Sequence, residues 1–485
     1  MSEESTSTSP PPLPASPMEK LNDFSDRFSP MLVKELRQGL RTHSFVILFL
    51  ILQGLLALIL LTIAAADPNA GGIVSSIIFF FFSLSVLIFQ PLRGMSAISS
   101  EVKADTIDLM SLTKLSAWRI VFGKWSSIMG QTTLLLFAIV PYLILRYFFG
   151  GMQLFSELLL LFSVFLLSGV FTAVTVGLSA STLAFVRAIP LLVGLSFIWL
   201  IPMLVFDDFD ALLESFTPQS KNHWFGLISA YAIAAFVGYF FLELAATAIA
   251  PSAENRATRK RLVALLIVPI VFTALHGVEY EAAWALSFIL LGMLALDLFT
   301  ESIEYPSVVL TPFLRFGILG KIAARFLAPG WATGTLFHLL LFGILVLLNL
   351  LLGDELRTDT DTSIMLSITL GIIYLPLLLV HVFRKRISNR LVTYLLFSVF
   401  LFGLMPLFAI LENIGDAKML AWCFCFIPHV IPFLRDYTND ALIHLISWFS
   451  AASYILFCLG FAATPLRKLS QLEKEESQRL LSEKD

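Results

Sequence analysis

Long apolar runs, each near the length of one membrane crossing, alternate along the chain with short polar connections. A spanning helix needs about 20 predominantly apolar residues. That measure picks out Phe45–Ala66, Ile73–Pro91, Ser126–Tyr147, Phe155–Ala180, Ala188–Phe206 and Phe225–Ala250 in the first half. In the second half it picks out Leu262–Leu275 (a short run), Ala282–Leu298, Ala332–Leu352, Ile364–Phe383, Leu391–Ile410 and Ala441–Ala462. One further stretch, Met419–Leu434, is short and holds Pro428 and Pro432. Prolines inside so short a run favour a re-entrant or interfacial segment over a crossing. The expectation is twelve helical spans. The first run begins only at Phe45, farther in than the apolar stretch of a leader, so no cleavable signal peptide is expected.

Composition turns this pattern into an exclusion. Of the 485 residues, 58% are apolar and 14% charged, with 45 phenylalanines and a mean hydropathy of +0.86. Soluble domains carry about 25% charged residues, because a water-soluble fold must cover itself with polar groups. A soluble enzyme, a disordered chain and a secreted disulfide scaffold are therefore excluded, which leaves an all-α polytopic transmembrane bundle. The three cysteines, Cys423, Cys425 and Cys458, lie in apolar stretches without a C-x-x-C spacing. A net charge of -3 gives no basic field for nucleic acid.

The basic residues orient the bundle, since cytoplasmic loops carry the excess of Lys and Arg. With twelve spans and a cytoplasmic N-terminus, only Arg146, Lys221, Arg357, Lys418 and Arg435 fall outside, leaving 27 of 32 inside. A crossing at Met419–Leu434 would move the five cations of the C-terminal tail outside. The expected location is the cell (inner) membrane, multi-pass, with both termini cytoplasmic.

Between the spans the chain divides into four parts. Residues 1–28 are Ser/Thr/Pro-rich and expected to be a disordered cytoplasmic tail. Residues 29–261 hold an amphipathic helix and a six-span group; 262–465 hold a second group of about six spans; 466–485 form a cytoplasmic C-terminal tail. In SPMLVKELRQGLR, Ser29 can cap a helix that starts at Pro30. Leu32, Leu36 and Leu40 share one face, and Lys34, Arg37 and Arg41 another, as in a helix lying flat on the cytoplasmic membrane surface. The tail spaces Leu469, Leu472 and Leu480 among charges, the pattern of a solvated helix.

Catalytic motifs are missing from the sequence. Gly123-Lys124 is followed by Trp125, and Gly320-Lys321 by Ile322, so no P-loop is present; neither is H-E-x-x-H, and GLSAS at Gly177 lacks the last glycine of G-x-S-x-G. Asp207, Asp208, Asp210 and Glu214 form an acidic cluster that could hold a divalent cation or simply keep a polar outer turn out of lipid. Glu243, inside the sixth run, could be a buried functional carboxylate or an interfacial one. No cofactor is expected.

The most informative stretch is AISSEVKADTIDLMSLTKLSAWRIVFGKW, residues 97–125. It reads as a cytoplasmic helix-turn-helix. Ser99 or Ser100 can start the first helix, with Glu101 favourable in its first turn, and Ser116 can cap the second. Here the chain resembles the membrane permease subunits of type-2 ABC exporters. The matching positions are Glu101, Thr106, Ile107, Asp108, Leu109, Thr113, Leu115, Ser116, Ile120, Val121, Gly123 and Lys124. Asp105 and Lys114 depart from the glycine and proline of that pattern. Pro30 to Arg41 resembles the family's elbow helix, and the whole resemblance covers about residues 29–261.

The resemblance implies a transport subunit without an ATPase site of its own, hence no enzyme. It implies as partners an ABC ATP-binding subunit, the lipid bilayer and a homo- or heterodimeric permease partner. Its docking (coupling) loop would be carried by Glu101, Thr106, Asp108, Leu109, Leu112, Leu115 and Ser116. Two readings from other classes stand beside it: a secondary transporter, and a polytopic membrane transferase using the Asp207 cluster.

Overall fold

The computed structural model describes residues 30–66, 71–103, 116–181, 184–217, 220–251, 254–302, 305–353, 360–383, 389–414 and 422–482. Among them it consists of helices joined by short turns, without a strand. The short helix α1 (Pro30–Leu40) comes first. Then follow α2 (His43–Ala66), α3 (Gly71–Lys103), α4 (Ala117–Phe148), α5 (Leu154–Ser179), α6 (Val186–Asp207), the short α7 (Phe209–Ser215) and α8 (Lys221–Ile249). The second half contains α9 (Ala257–His276), α10 (Tyr280–Leu298), the short α11 (Gly317–Leu327), α12 (Trp331–Leu352), α13 (Thr360–Val382), α14 (Arg390–Ile410) and α15 (Asp440–Ser482).

Eleven of these helices are long and apolar enough to cross a membrane, so the chain is an all-α polytopic bundle. In hydrocarbon every backbone N–H and C=O must be satisfied within its own segment, and uninterrupted helices do that. The twelfth expected run, Leu262–Leu275, lies on α9, whose first turns carry Arg259, Lys260 and Arg261. Those three charges keep α9 out of the eleven. Met419–Leu434 contains no long helix among its described residues; Ile431–Tyr437 is a 3-10 turn.

Some boundaries differ from the sequence pattern. The second run does not stop at Pro91 but continues as one rod to Lys103. A proline ring collides with the carbonyl four residues earlier. Here that carbonyl belongs to Leu87, which sits in a wider π turn, Ser85–Phe89, and a tight 3-10 turn at Arg93–Ser96 follows. A second π turn, Met203–Asp207, follows Pro202 and ends α6.

The apolar interior is divided. Leu56, Val74, Ile78, Phe79, Leu135 and Ile139 fill the space among α2, α3 and α4. Phe272, Trp284, Phe337, Leu341, Tyr374 and Cys458 fill the space among α9, α10, α12, α13 and α15. Helix α8 belongs to both halves. Its Phe236 and Phe240 join the second core, while Leu242, Ala245 and Ala246 pack with Val121, Ala173 and Val176 of the first half. Gly177 lets α5 and α8 touch, because a Cβ there would fall 2.6 Å from the Phe241 carbonyl oxygen. The outward faces stay apolar: Leu61 is 71% exposed and Trp199 83%. Water would not tolerate so much exposed apolar surface, and lipid does.

Candidate functional site

The buried charges of the first half gather where α1, α3 and α4 meet. Lys124, only 6% exposed, sits on α4. Its ammonium lies 2.9 Å from Glu101 Oε1 on α3 and 3.3 Å from Glu35 Oε1 on α1. Arg93 repeats the tie one step deeper. It donates to Thr42 Oγ1 at 2.8 Å, to the Gly39 carbonyl at 3.3 Å and to the Gln131 side chain, and lies over the Phe45 ring. The amphipathic helix is thus fastened to α4 by charge as well as by Leu36, which packs against Gly130. Trp125 Nε1 continues the chain of contacts into α5 by donating to the Gly169 carbonyl at 2.9 Å.

These contacts place the expected docking residues as follows. Glu101 lies in the last helical turn of α3 and is bound to Lys124 rather than facing solvent alone. Ser116 is the N-cap of α4, where its hydroxyl accepts from the Arg119 amide at 3.4 Å. Thr106, Asp108, Leu109, Leu112 and Leu115 lie outside the described residues. Glu101 near the end of α3 and Lys124 near the start of α4 are thus in direct contact.

The same end of the bundle holds a second network. Arg259 lies over Trp118, at the start of α4, and over Tyr239. Glu243 is fully buried and pairs with Arg256 at 2.8 Å and Arg259 at 3.5 Å. It therefore serves as the anchor between α8 and the start of α9. Lys260 reaches Asp297 at 2.7 Å, and Arg261 reaches Glu301 at 2.6 Å. Arg261 also donates to the carbonyls of Phe326, Ala328 and Gly330. Arg325 then pairs with Glu473 of α15 at 3.0 Å, and Glu476 accepts from Ser307 and Thr311. The tail helix is docked: Leu469 is buried with Leu310, Phe313, Ala324 and Ala328.

The opposite end is sparser. Arg146 and Glu157 form a buried pair at 3.5 Å, and Arg146 also donates to the Ser75 hydroxyl and to the Gly150 carbonyl. Asp208 caps α7 by accepting from the Ala211 amide at 2.9 Å. Asp207, Asp210 and Glu214 are exposed, and no group of His, Cys, Asp or Glu able to hold a metal occurs among the described residues. Within the cluster the structure gives Asp208 a capping role. Arg435 bridges Asp361 at 2.6 Å and Asp440 at 3.5 Å, so the segment before α15 ends beside the starts of both α13 and α15.

Glu35, Arg93, Gln131, Asp297 and Glu301 join these networks without standing out in the pattern of apolar and polar positions. Gln90 and Arg93 flanking Pro91, and the spacing of Asp297 and Glu301, were the available signals. No family model matches the chain, and neither a curated protein nor a solved structure resembles it detectably.

Proposed function

We propose that the chain is the membrane permease subunit of an ATP-driven ABC transporter of the exporter type, served by an ATP-binding subunit on a separate chain. The observation that supports this reading best is the contact of Lys124 with both Glu101 and Glu35. It joins the end of α3, the start of α4 and the amphipathic helix α1 into one connected unit. A partner that grips residues 104–115 and closes on ATP would move α1, α3 and α4 together. Arg259 over Trp118 would pass that motion to α9. No residue of this chain performs covalent chemistry in the scheme. In this reading the end carrying these networks faces the cytoplasm of the cell (inner) membrane.

The secondary-transporter reading needs ionisable groups within the spans, away from their ends. Glu157 lies in the first turn of α5, and Glu243 pairs with Arg256 just outside α8. Both are terminal anchors.

The test is isolation of the tagged chain from its native membrane in mild detergent. A P-loop ATPase should co-purify, and Leu112→Asp should release it while the variant still elutes as a folded membrane protein. The ATPase-free chain should neither bind nor hydrolyse ATP. Hydrolysis by that chain, or wild-type retention of the ATPase by a folded Leu112→Asp variant, overturns the reading.

A further inference from the structure

Helix α11 has two apolar faces, and only one of them is used inside the protein. On the inner face Ala324 is buried with Leu310, Phe313 and Leu469. Gly320 rests on the Phe313 backbone so closely that a Cβ would have no room. On the outer face Ile318 is 79% exposed, Leu319 77% and Ile322 54%, and Phe316 just before the helix is 76% exposed. Ile318 and Ile322 are one turn apart with Leu319 beside them, so they form one stripe. Arg315 and Lys321 are exposed on the same short segment. Gly317, at φ 61, reverses the chain so that α11 leaves the preceding turn in a new direction.

Two observations say what covers that stripe. Only three residues separate the end of the helix from α12, which begins at Trp331 and is long and apolar enough to span a membrane. The stripe thus lies at the level where the chain enters the spanning bundle. Its flanking cations also match an anionic surface. We propose that α11 lies flat in the headgroup layer of the leaflet at the Glu101–Lys124 end, with Phe316, Ile318, Leu319 and Ile322 in the acyl boundary and Arg315 and Lys321 on anionic phospholipid headgroups. The tail helix holds it from the water side, through Arg325 with Glu473 and through Leu469. The second half thereby carries a membrane-surface helix of its own, and this stands whether or not an ATPase serves the chain.

The experiment places a nitroxide on Leu319→Cys, and separately on Ile322→Cys, in the full chain with Cys423 and Cys425 replaced by serine. Both positions are exposed, so the labels leave the inner packing intact. The protein is reconstituted in nanodiscs of phosphatidylcholine with or without phosphatidylglycerol. Relaxation by oxygen should exceed relaxation by a water-soluble nickel chelate several-fold, as for a label at Leu61 on α2. Immersion should deepen with phosphatidylglycerol, and Arg315→Gln with Lys321→Gln should remove that difference. A label relaxed mainly by the nickel chelate overturns the proposal. So does dipolar broadening, which would put a second copy on the stripe. Equal immersion in both lipids overturns the anionic-headgroup assignment.

Discussion

Lys124 and Arg261 are long cations taken almost out of solvent, and each is tolerable only because carboxylates or carbonyls surround it. Their consequences differ. Lys124 bridges two carboxylates on two other helices, so its removal takes away the cation that Glu35 and Glu101 share. A double-mutant cycle between Glu101→Gln and Lys124→Met should give a coupling of roughly 0.5–3 kcal/mol in detergent stability. Strictly additive effects would mean that the contact carries no energy. If the proposed coupling holds, Glu101→Gln should weaken ATPase co-purification and lower transport-linked ATP turnover. Arg261 spreads its guanidinium over Glu301, Thr333 and three backbone carbonyls. A lysine keeps the charge but lacks the planar fork. Arg261→Lys should therefore strand buried carbonyls and cost about 1–3 kcal/mol, seen as a lower thermal midpoint. An unchanged midpoint would argue against that accounting. Neither network was legible in the sequence, because the partners lie far apart: 89 residues separate Glu35 from Lys124 and 169 separate Ser307 from Glu476. Hydrophobic periodicity reports neighbours along one helix and says nothing of such pairs.

At the level of helices, the apolar runs were legible because each lipid-facing segment must satisfy its own backbone, which ties structure to local composition. Helix α15 marks the limit of that logic. Its run Ala441–Ala462 is a clear span, yet the helix continues without a break through 43 residues to Ser482. Leu469, Glu473 and Glu476 dock on the segment between α10 and α12, and the spacing of leucines among charges did not reveal a specific surface. Cutting the chain after Leu466 should raise deuterium uptake across Val309–Leu327, because that segment loses Leu469 and the Glu473 and Glu476 contacts. Unchanged uptake there would show that α15 adds nothing to the segment. The α5–α8 contact makes a sharper demand. Gly177→Leu must push a side chain into the Phe241 backbone, and overpacking of this kind costs about 1–3 kcal/mol. Gly343, with open space around a Cβ, is the control site where leucine should be tolerated.

For the whole molecule the open count is the parity of crossings, which decides whether the two ends of the chain share a side. Eleven helices meet the length and charge measure, and α9 does not. Its geometry nevertheless matches a crossing. Lys260 and Arg261 at its start touch Asp297 and Glu301 at the end of α10. His276 at its end packs on Tyr280 at the start of α10. The two helices therefore run antiparallel over the same height, and 20 residues of helix reach about 30 Å, the thickness of the hydrocarbon layer. The three early cations remain at the polar end in ion pairs and rings, so they do not have to enter lipid. On this ground we propose that α9 makes a twelfth crossing, with α1 and the tail helix on one side. A membrane-impermeant thiol reagent should label Ser100→Cys and Lys474→Cys from one side, and Asp208→Cys, Gly277→Cys and Asp440→Cys from the other. Gly277 is the decisive position, since it sits in the turn between α9 and α10. Labelling of Gly277→Cys from the Ser100 side would show that this hairpin turns back inside the bundle. Labelling of Lys474→Cys from the Asp208 side would leave an odd number of crossings and put the docked tail away from the Lys124 contacts.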